Sequence, residues 1–204
     1  MASYCNLARG HEWHGPYHDT EYGFPLTGDA ELFERLVLEI NQAGLSWLTI
    51  LRKRAAFRAA YDGFDPERIA GYGKRQVRRL LADAGIIRNR LKVEAAIANA
   101  NAILALRASH GSFAKWLDAH AQVDGGKAQG KTQGRKDAKT ARGGRPRTRE
   151  EWVGLFKQTF RFTGGEIVGE FLLSTGYLPG AHQETCPVYP RIVKLRPPWL
   201  RLSS

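Results

Sequence analysis

The amino-acid sequence predicts an all-α fold, and three observations lead to this prediction. Apolar residues recur at spacings of three and four along most of the chain, whereas strand-like alternation is hard to find. A chain of 204 residues can bury one substantial core without disulfides. No apolar stretch reaches the roughly eighteen residues of a membrane span, and the N-terminus lacks a signal-peptide pattern. We therefore expect a soluble cytoplasmic protein without a membrane partner, with a single domain over residues 1–190 and a tail over 191–204.

The first clear helix starts at Asp29, a residue well suited to the N-cap, and runs to residue 43. Its apolar stripe consists of Leu32, Phe33, Leu36, Val37 and Ile40. A second helix covers residues 47–61, and Asp65-Pro66 starts a short third one because proline needs no amide hydrogen bond in a first turn. The same periodicity predicts helices over 74–83, 89–107, 112–120, 150–160 and 164–176.

A basic insertion over residues 121–149 interrupts this helical pattern. The chain has a formal net charge of +11, and residues 124–149 hold nine Lys or Arg against two Asp. Because this segment has no aromatic and no aliphatic residue larger than alanine, we expect it to be disordered. Because it is strongly basic, we also expect it to be attracted to a polyanion. GGKAQGKT at 125–132 matches a phosphate-binding loop in letters only, since neither a buried strand nor an amphipathic helix flanks it.

Glu39 places a carboxylate along the apolar stripe of the first clear helix. It could lie at the margin of the stripe and reach solvent or an arginine, or it could face a cavity. The sequence NQAGLSW follows at 41–47, where Gly44 would break the helix and bring Trp47 close to the carboxylate. An acidic group beside an indole suits a flat cationic ligand that stacks and donates hydrogen bonds.

LADAGIIRNRLK at residues 81–92 has the pattern of a helix, a tight apolar hairpin and a second helix, with Gly85 available for a positive φ. The free amides at the start of the second helix, flanked by Arg88, Arg90 and Lys92, would form a phosphate site. An ordinary helical corner with solvated basic residues explains the pattern equally well. If the site exists, it would contact the nucleic-acid backbone without reading its sequence.

The two cysteines are far apart in sequence, and each has a histidine at a suggestive offset. His182 and Cys186 form H-x3-C, and Cys5 and His18 form C-x12-H. Two thiolates and two imidazoles make a full tetrahedral set for a structural zinc that would join the two ends of the chain. Chance spacing among two Cys and six His remains an alternative, and so does a disulfide, although a cytosolic setting keeps thiols reduced.

Four segments together resemble the bacterial 3-methyladenine DNA glycosylase I family of the helix–hairpin–helix superfamily. They are YHDTEYG (17–23), LFERLVLEINQAGLSWLTILRKR (32–54), DAGIIRNRLKVEAAIANA (83–100) and GYLPGAHQETC (176–186), and the similarity spans about residues 4–118 and 152–190. The resemblance implies a helix–hairpin–helix glycosylase fold with one structural zinc on Cys5, His18, His182 and Cys186. It also implies that Glu39 recognises the base and that Tyr17 and Trp47 stack on it.

The resemblance implies a monomeric repair enzyme that excises 3-methyladenine from alkylated double-stranded DNA and leaves an abasic site. Tyr22 stands where the family usually has tryptophan, and Leu7 where an aromatic is common, which leaves substrate preference open. Family members lack the catalytic aspartate of many superfamily relatives, and no carboxylate after the hairpin obviously supplies one. Two alternatives are a noncatalytic zinc-containing protein that binds DNA or recognises damage, and hydrolysis by an open zinc site.

Overall fold

The computed structural model describes residues 4–123 and 145–201. In chain order, these residues form α1 (Tyr4–Ala8), α2 (His14–Thr20), α3 (Asp29–Gln42), α4 (Trp47–Ala60), a 3₁₀ turn (Asp62–Phe64), α5 (Pro66–Ala70), α6 (Lys74–Ala82), α7 (Arg90–His110), α8 (Phe113–His120), β1 (Gln122–Val123), β2 (Arg145–Pro146), α9 (Arg149–Thr159), α10 (Gly165–Ser174), α11 (Tyr189–Lys194) and α12 (Pro198–Arg201). The predicted helical fold is confirmed for this part of the chain. Its two strands form one short antiparallel pair in which Gln122 lies opposite Pro146.

Helix α3 forms the centre of the core. Every residue from 32 to 41 is buried, because α4, α7, α8 and α10 all pack around this helix. A helix covered on all sides has no solvated face, so polar side chains on it must find partners or face a cavity. This environment determines the chemistry of Glu39.

The helices predicted between residues 29 and 176 are confirmed, with ends that differ by no more than three residues. The short helices α1, α2, α11 and α12 were not predicted. They contain four to seven residues each, too few for a periodic apolar pattern to be recognised. Residues 191–201 contact the preceding fold, since Ile192 is buried beside Cys186 and the Trp199 amide donates to the Gly176 carbonyl at 3.1 Å.

The prediction that Asp29 is an N-cap was wrong. Gly28 occupies the cap position, and Asp29 is the first residue of α3. Its carboxylate accepts hydrogen bonds from the Phe113 amide at 2.8 Å and from Arg107 Nε at 2.6 Å. The Asp29 carboxylate therefore accepts from the first amide of α8 and pairs with an arginine on α7, instead of capping its own helix. Sequence spacing cannot reveal these contacts, because the partners are distant in the chain.

The structure describes both ends of the predicted disordered insertion, at residues 121–123 and 145–149. β1 and β2 pair across the insertion, and Arg147 Nε donates to the His120 carbonyl at 2.7 Å while its guanidinium lies 5.6 Å from the Trp152 ring centre. Arg149 is the first residue of α9. The prediction of disorder for residues 124–144, like the GGKAQGKT match within them, lies outside the described residues.

Within residues 4–123 and 145–201, no helix combines the length and the apolar character that a membrane crossing requires.

Candidate active site

A cavity of about 670 Å³ lies between the N-terminal segment, α3, the 41–47 turn and α10. Its volume falls in the range of small-molecule sites, roughly 300–1,000 Å³. The lining residues are Tyr4, Tyr17, Tyr22, Glu39, Gln42, Ala43, Gly44, Leu45, Ser46, Trp47, Glu166 and Glu170. The described lining thus contains aromatic rings and carboxylates but no Lys, Arg or His. Such a cavity favours a flat ligand with positive charge.

Glu39 reaches this cavity from α3 with only 3% of its surface exposed. Burial raises the pKa of its carboxyl to about 8; Arg35 opposes this shift, and the nearby carboxylate of Glu170 adds to it. Among the described residues, no group forms a hydrogen bond with the Glu39 carboxyl. A buried acid without a partner is costly, so this group is prepared for a ligand that donates hydrogen bonds or carries positive charge.

Tyr17 and Trp47 form adjoining walls of the cavity, with ring centres 5.2 Å apart. Tyr17 is fixed from behind because Arg35 donates a hydrogen bond to its hydroxyl and lies 4.8 Å from its ring centre. Trp47 begins α4 directly after a turn in which Gly44 has φ +83°, a backbone conformation that side chains with a Cβ rarely adopt. Trp47 Nε1 is buried without a hydrogen-bond acceptor in the part of the chain that the structure describes.

Tyr22 and Tyr4 extend the aromatic wall. Their ring centres lie 4.9 Å apart in an edge-on arrangement, and the Tyr4 hydroxyl is 2.9 Å from His14 Nδ1. Tyr22, which replaces the tryptophan expected from the resemblance, is 9% exposed and directs its hydroxyl towards Glu170. The substitution therefore retains an aromatic surface and adds a polar group to the cavity.

Behind the aromatic wall, Cys5, His18, His182 and Cys186 are brought together from both ends of the chain. All four are buried, and their ligand atoms lie within 4.8 Å of one another. Cys186 Sγ is 3.6 Å from His18 Nε2 and 3.5 Å from His182 Nδ1, and Cys5 Sγ is 3.9 Å from His182 Nδ1. Tetrahedral bonds of typical Zn–S and Zn–N length separate sulfur from nitrogen by about 3.6 Å. The cluster can therefore hold a metal ion.

Each histidine of the cluster is oriented by a hydrogen bond from its other ring nitrogen. His18 Nδ1 lies 2.7 Å from Asp19 Oδ1, and His182 Nε2 lies 2.7 Å from the Tyr22 carbonyl oxygen. Donation at these atoms leaves His18 Nε2 and His182 Nδ1 free to bind metal, as metal-binding histidines usually require. The second hydrogen bond also connects the cluster directly to the aromatic wall of the cavity.

The structure separates Lys92 from the other two basic residues of the predicted phosphate site. Arg88 and Arg90 are exposed near the start of α7, but Lys92 is buried and donates from Nζ to the carbonyls of Asn41 at 2.9 Å and Ala43 at 2.8 Å. The Lys92 ammonium therefore supports the turn that forms one wall of the cavity, instead of pointing to solvent as the sequence suggested. Two buried carbonyl acceptors determine this position.

Gly85 does not have the positive φ that the sequence suggested. Instead, a Cβ at this position would come within 2.9 Å of both Ala56 Cβ and Asp83 Oδ1. Lys53 on α4 also donates to the Ala84 carbonyl at 2.8 Å. Glycine is required here because the turn between α6 and α7 packs closely against α4.

The sequence did not identify several residues of the cavity, among them Tyr4, Leu45, Glu166 and Glu170. Tyr4 precedes a cysteine of the cluster, Leu45 lies on the rim with 42% of its surface exposed, and Glu170 extends inwards from α10. The spacing of Glu166 and Glu170 in GGEIVGEF was a usable signal, because residues four apart share one face of a helix.

Comparisons with known proteins all find the same kind of enzyme. The family model described as methyladenine glycosylase matches residues 8–189. The chain is 36% identical over 174 residues to DNA-3-methyladenine glycosylase 1 of Escherichia coli (strain K12), which covers 85% of this chain and 90% of that protein. A crystal structure of 3-methyladenine DNA glycosylase I matches with a TM-score of 0.70 and 35% identity, over 87% of this chain and 94% of the other. The Staphylococcus aureus enzyme, studied for its 3-methyladenine recognition, matches with a TM-score of 0.72 and 31% identity, over 91% and 95%.

Proposed function

Because the chain belongs to the methyladenine glycosylase family, we propose that it binds alkylated double-stranded DNA, extrudes 3-methyladenine into the aromatic cavity and hydrolyses its N-glycosidic bond. The chain is a monofunctional DNA glycosylase, and the products are the free base and an abasic site. This assignment replaces the alternative of a noncatalytic DNA-binding protein.

The observation that carries the proposal is the unpaired, buried carboxyl of Glu39 beside Tyr17 and Trp47. Methylation at N3 makes the adenine cationic while it is attached to the sugar. A cationic purine packed against the two rings would favour the ionised form of Glu39 and donate hydrogen bonds to it, which compensates for its burial. An unmodified adenine has no such charge, so it would not favour the ionised form of Glu39.

The positive charge also makes 3-methyladenine a good leaving group that needs little protonation by the enzyme. Extrusion from the base stack costs about a few kcal/mol, and less for a damaged base. We propose that exposed Leu45 at the cavity rim contacts the gap left in the stack. Arg88 and Arg90 and the amides at the start of α7 would hold a phosphate, which gives α6 and α7 the role of a helix–hairpin–helix DNA element.

The chemistry of the four-residue cluster favours zinc, because two cysteines and two histidines in tetrahedral spacing are typical of structural zinc sites. Cys5, His18, His182 and Cys186 would hold one ion and leave no coordination position for water. The metal would join α1 and α2 to the segment before α11 and would fix the Tyr22 backbone through His182. Cytoplasmic localisation and a monomeric state remain predictions.

The test is release of free bases from duplex DNA that carries defined alkylated purines, with Glu39→Gln compared with Glu166→Gln. Glu166 is a suitable control because its side chain lies at the rim and is 91% exposed. We expect Glu39→Gln to release 3-methyladenine much more slowly and to bind undamaged DNA as the wild type does. Equal release by the wild type and Glu39→Gln would remove Glu39 from the mechanism, and the absence of release by the wild type would overturn the proposed function.

A further inference from the structure

Glu170 is a second carboxylate in the cavity and lies at an intermediate depth. Glu39 is buried at 3% exposure, Glu170 is half-buried on α10, and the Glu166 side chain, one turn earlier on α10, is 91% exposed. Because all three line the same cavity, they mark its depth from the base-binding end to the opening. Glu170 is close enough to Glu39 to raise the pKa of the Glu39 carboxyl.

The contacts of Glu170 leave its carboxylate available to a ligand or water. The Tyr22 hydroxyl donates to Glu170 Oε2 over a long 3.5 Å, and Glu170 forms no ion pair with any described residue. The nearby cation Arg149 is occupied elsewhere, since its Nη2 donates to the Gly165 carbonyl at 3.1 Å and to Glu166 at 3.2 Å. Arg149 therefore neutralises the rim carboxylate but does not pair with Glu170.

If the extruded purine reaches Glu39, as the proposed function requires, its reacting carbon C1′ would lie closer to the opening than the purine does. The purine must enter first to reach Glu39, while the deoxyribose remains attached to the DNA backbone outside the cavity. C1′ would then lie between the deep end and the opening, and Glu170 is the half-buried carboxylate of the lining. Burial also raises the pKa of the Glu170 carboxyl; the charge of Arg149 opposes this rise and Glu166 adds to it. A carboxylate with a raised pKa is a stronger base when it is ionised.

We propose that Glu170 is the general base of the hydrolysis and that the Tyr22 hydroxyl orients it; this inference rests on the proposed function. The oxygen of a water molecule bonds to C1′ as the bond from C1′ to the purine breaks. The electron pair of that bond moves to the purine and cancels its positive charge. One proton of the water goes to the Glu170 carboxylate, which later releases it to solvent.

The experiment measures single-turnover release of 3-methyladenine from duplex DNA with the full-length protein in excess. Glu170→Gln keeps the size of the side chain but cannot accept the proton, and Glu150→Gln, at an exposed glutamate on α9 that does not line the cavity, is the control. Affinity for free 3-methyladenine, measured by calorimetry, and the melting temperature are determined for each variant. These two readouts separate loss of the chemical step from loss of base binding or folding.

We expect Glu170→Gln to slow release at least about 100-fold, the usual minimum for loss of a general base, with little change in free-base affinity or melting temperature. Glu170→Asp should keep part of the rate because it retains a carboxylate. Release by Glu170→Gln as fast as by Glu150→Gln would overturn the inference and leave the proposed function intact. Equal losses of rate and free-base affinity would also overturn it, because Glu170 would then be a base-binding residue. No release by the wild type would overturn both proposals.

Discussion

Replacing Glu39 by glutamine should make the protein more stable above mildly acidic pH, although it removes the proposed base-recognition group. Burial raises the pKa of Glu39 from 4.5 to about 8 in the folded protein. Between these two values the folded chain binds more protons than the unfolded chain, so the free energy of unfolding falls as pH rises. Glutamine has nearly the same size and does not titrate, so the free energy of unfolding of the variant does not fall with pH for this reason.

The magnitude follows from the two pKa values. One pKa unit corresponds to about 1.4 kcal/mol, so ionisation of Glu39 would lower the free energy of unfolding by roughly 3 kcal/mol at pH 7 and by an upper limit of about 5 kcal/mol above pH 8. The charged groups that influence Glu39 are Arg35, which favours its ionised form, and Glu170, which opposes it. Both remain in the variant, so the difference between the two proteins reports on Glu39.

The assay is urea unfolding of the wild type, Glu39→Gln and the exposed control Glu166→Gln at pH 5, 6, 7 and 8, in the absence of DNA. The stability advantage of Glu39→Gln should be small at pH 5 and grow steadily towards pH 8, whereas Glu166→Gln should follow the wild type throughout. A constant advantage across this range, or a variant less stable than the wild type at pH 8, would refute the conclusion that Glu39 is buried without a partner.

Three further predictions concern the metal cluster, the cavity turn and the basic insertion. Elemental analysis should find one zinc per chain, and Cys186→Ser should lose the metal and have a lower melting temperature. The variant should also bind free 3-methyladenine more weakly, because His182 forms a hydrogen bond with the Tyr22 carbonyl at the cavity wall. Retained zinc in the variant would refute this prediction. Lys92→Met should lower the free energy of unfolding by about 1–3 kcal/mol, because the Asn41 and Ala43 carbonyls lose their donor, whereas Arg88→Met should leave it unchanged in the same urea titration. Deletion of residues 124–144, which hold six Lys or Arg, should leave the melting temperature unchanged and make DNA binding less sensitive to salt. In a plot of the logarithm of the binding constant against the logarithm of the salt concentration, the slope should become less negative by about 0.9 for each phosphate that the shortened protein no longer neutralises. An unchanged slope would show that the deleted segment does not bind DNA.

Much of the fold could be predicted from the sequence because helical periodicity is a local property. The apolar spacing in α3 and α7 is encoded within each segment, so their existence and approximate ends followed without knowledge of their neighbours. The cluster of Cys5, His18, His182 and Cys186 could also be predicted, although its residues are distant in sequence, because so few cysteines are present and metal sites use a restricted set of ligands. The zinc itself remains a prediction.

Only the tertiary structure decided how the charged side chains are used. The same local pattern allowed Glu39 to reach solvent, yet the helices around α3 enclose it and place this acid in a cavity. The sequence predicted that Lys92 flanks a phosphate site. In the folded chain its ammonium instead donates to the carbonyls of Asn41 and Ala43, about fifty residues earlier. Glu170 lines the cavity because α10 packs against α3. The sequence therefore determined which groups the protein has and which helices carry them, whereas the free energy of burying each charge depends on neighbours that only the folded chain brings together.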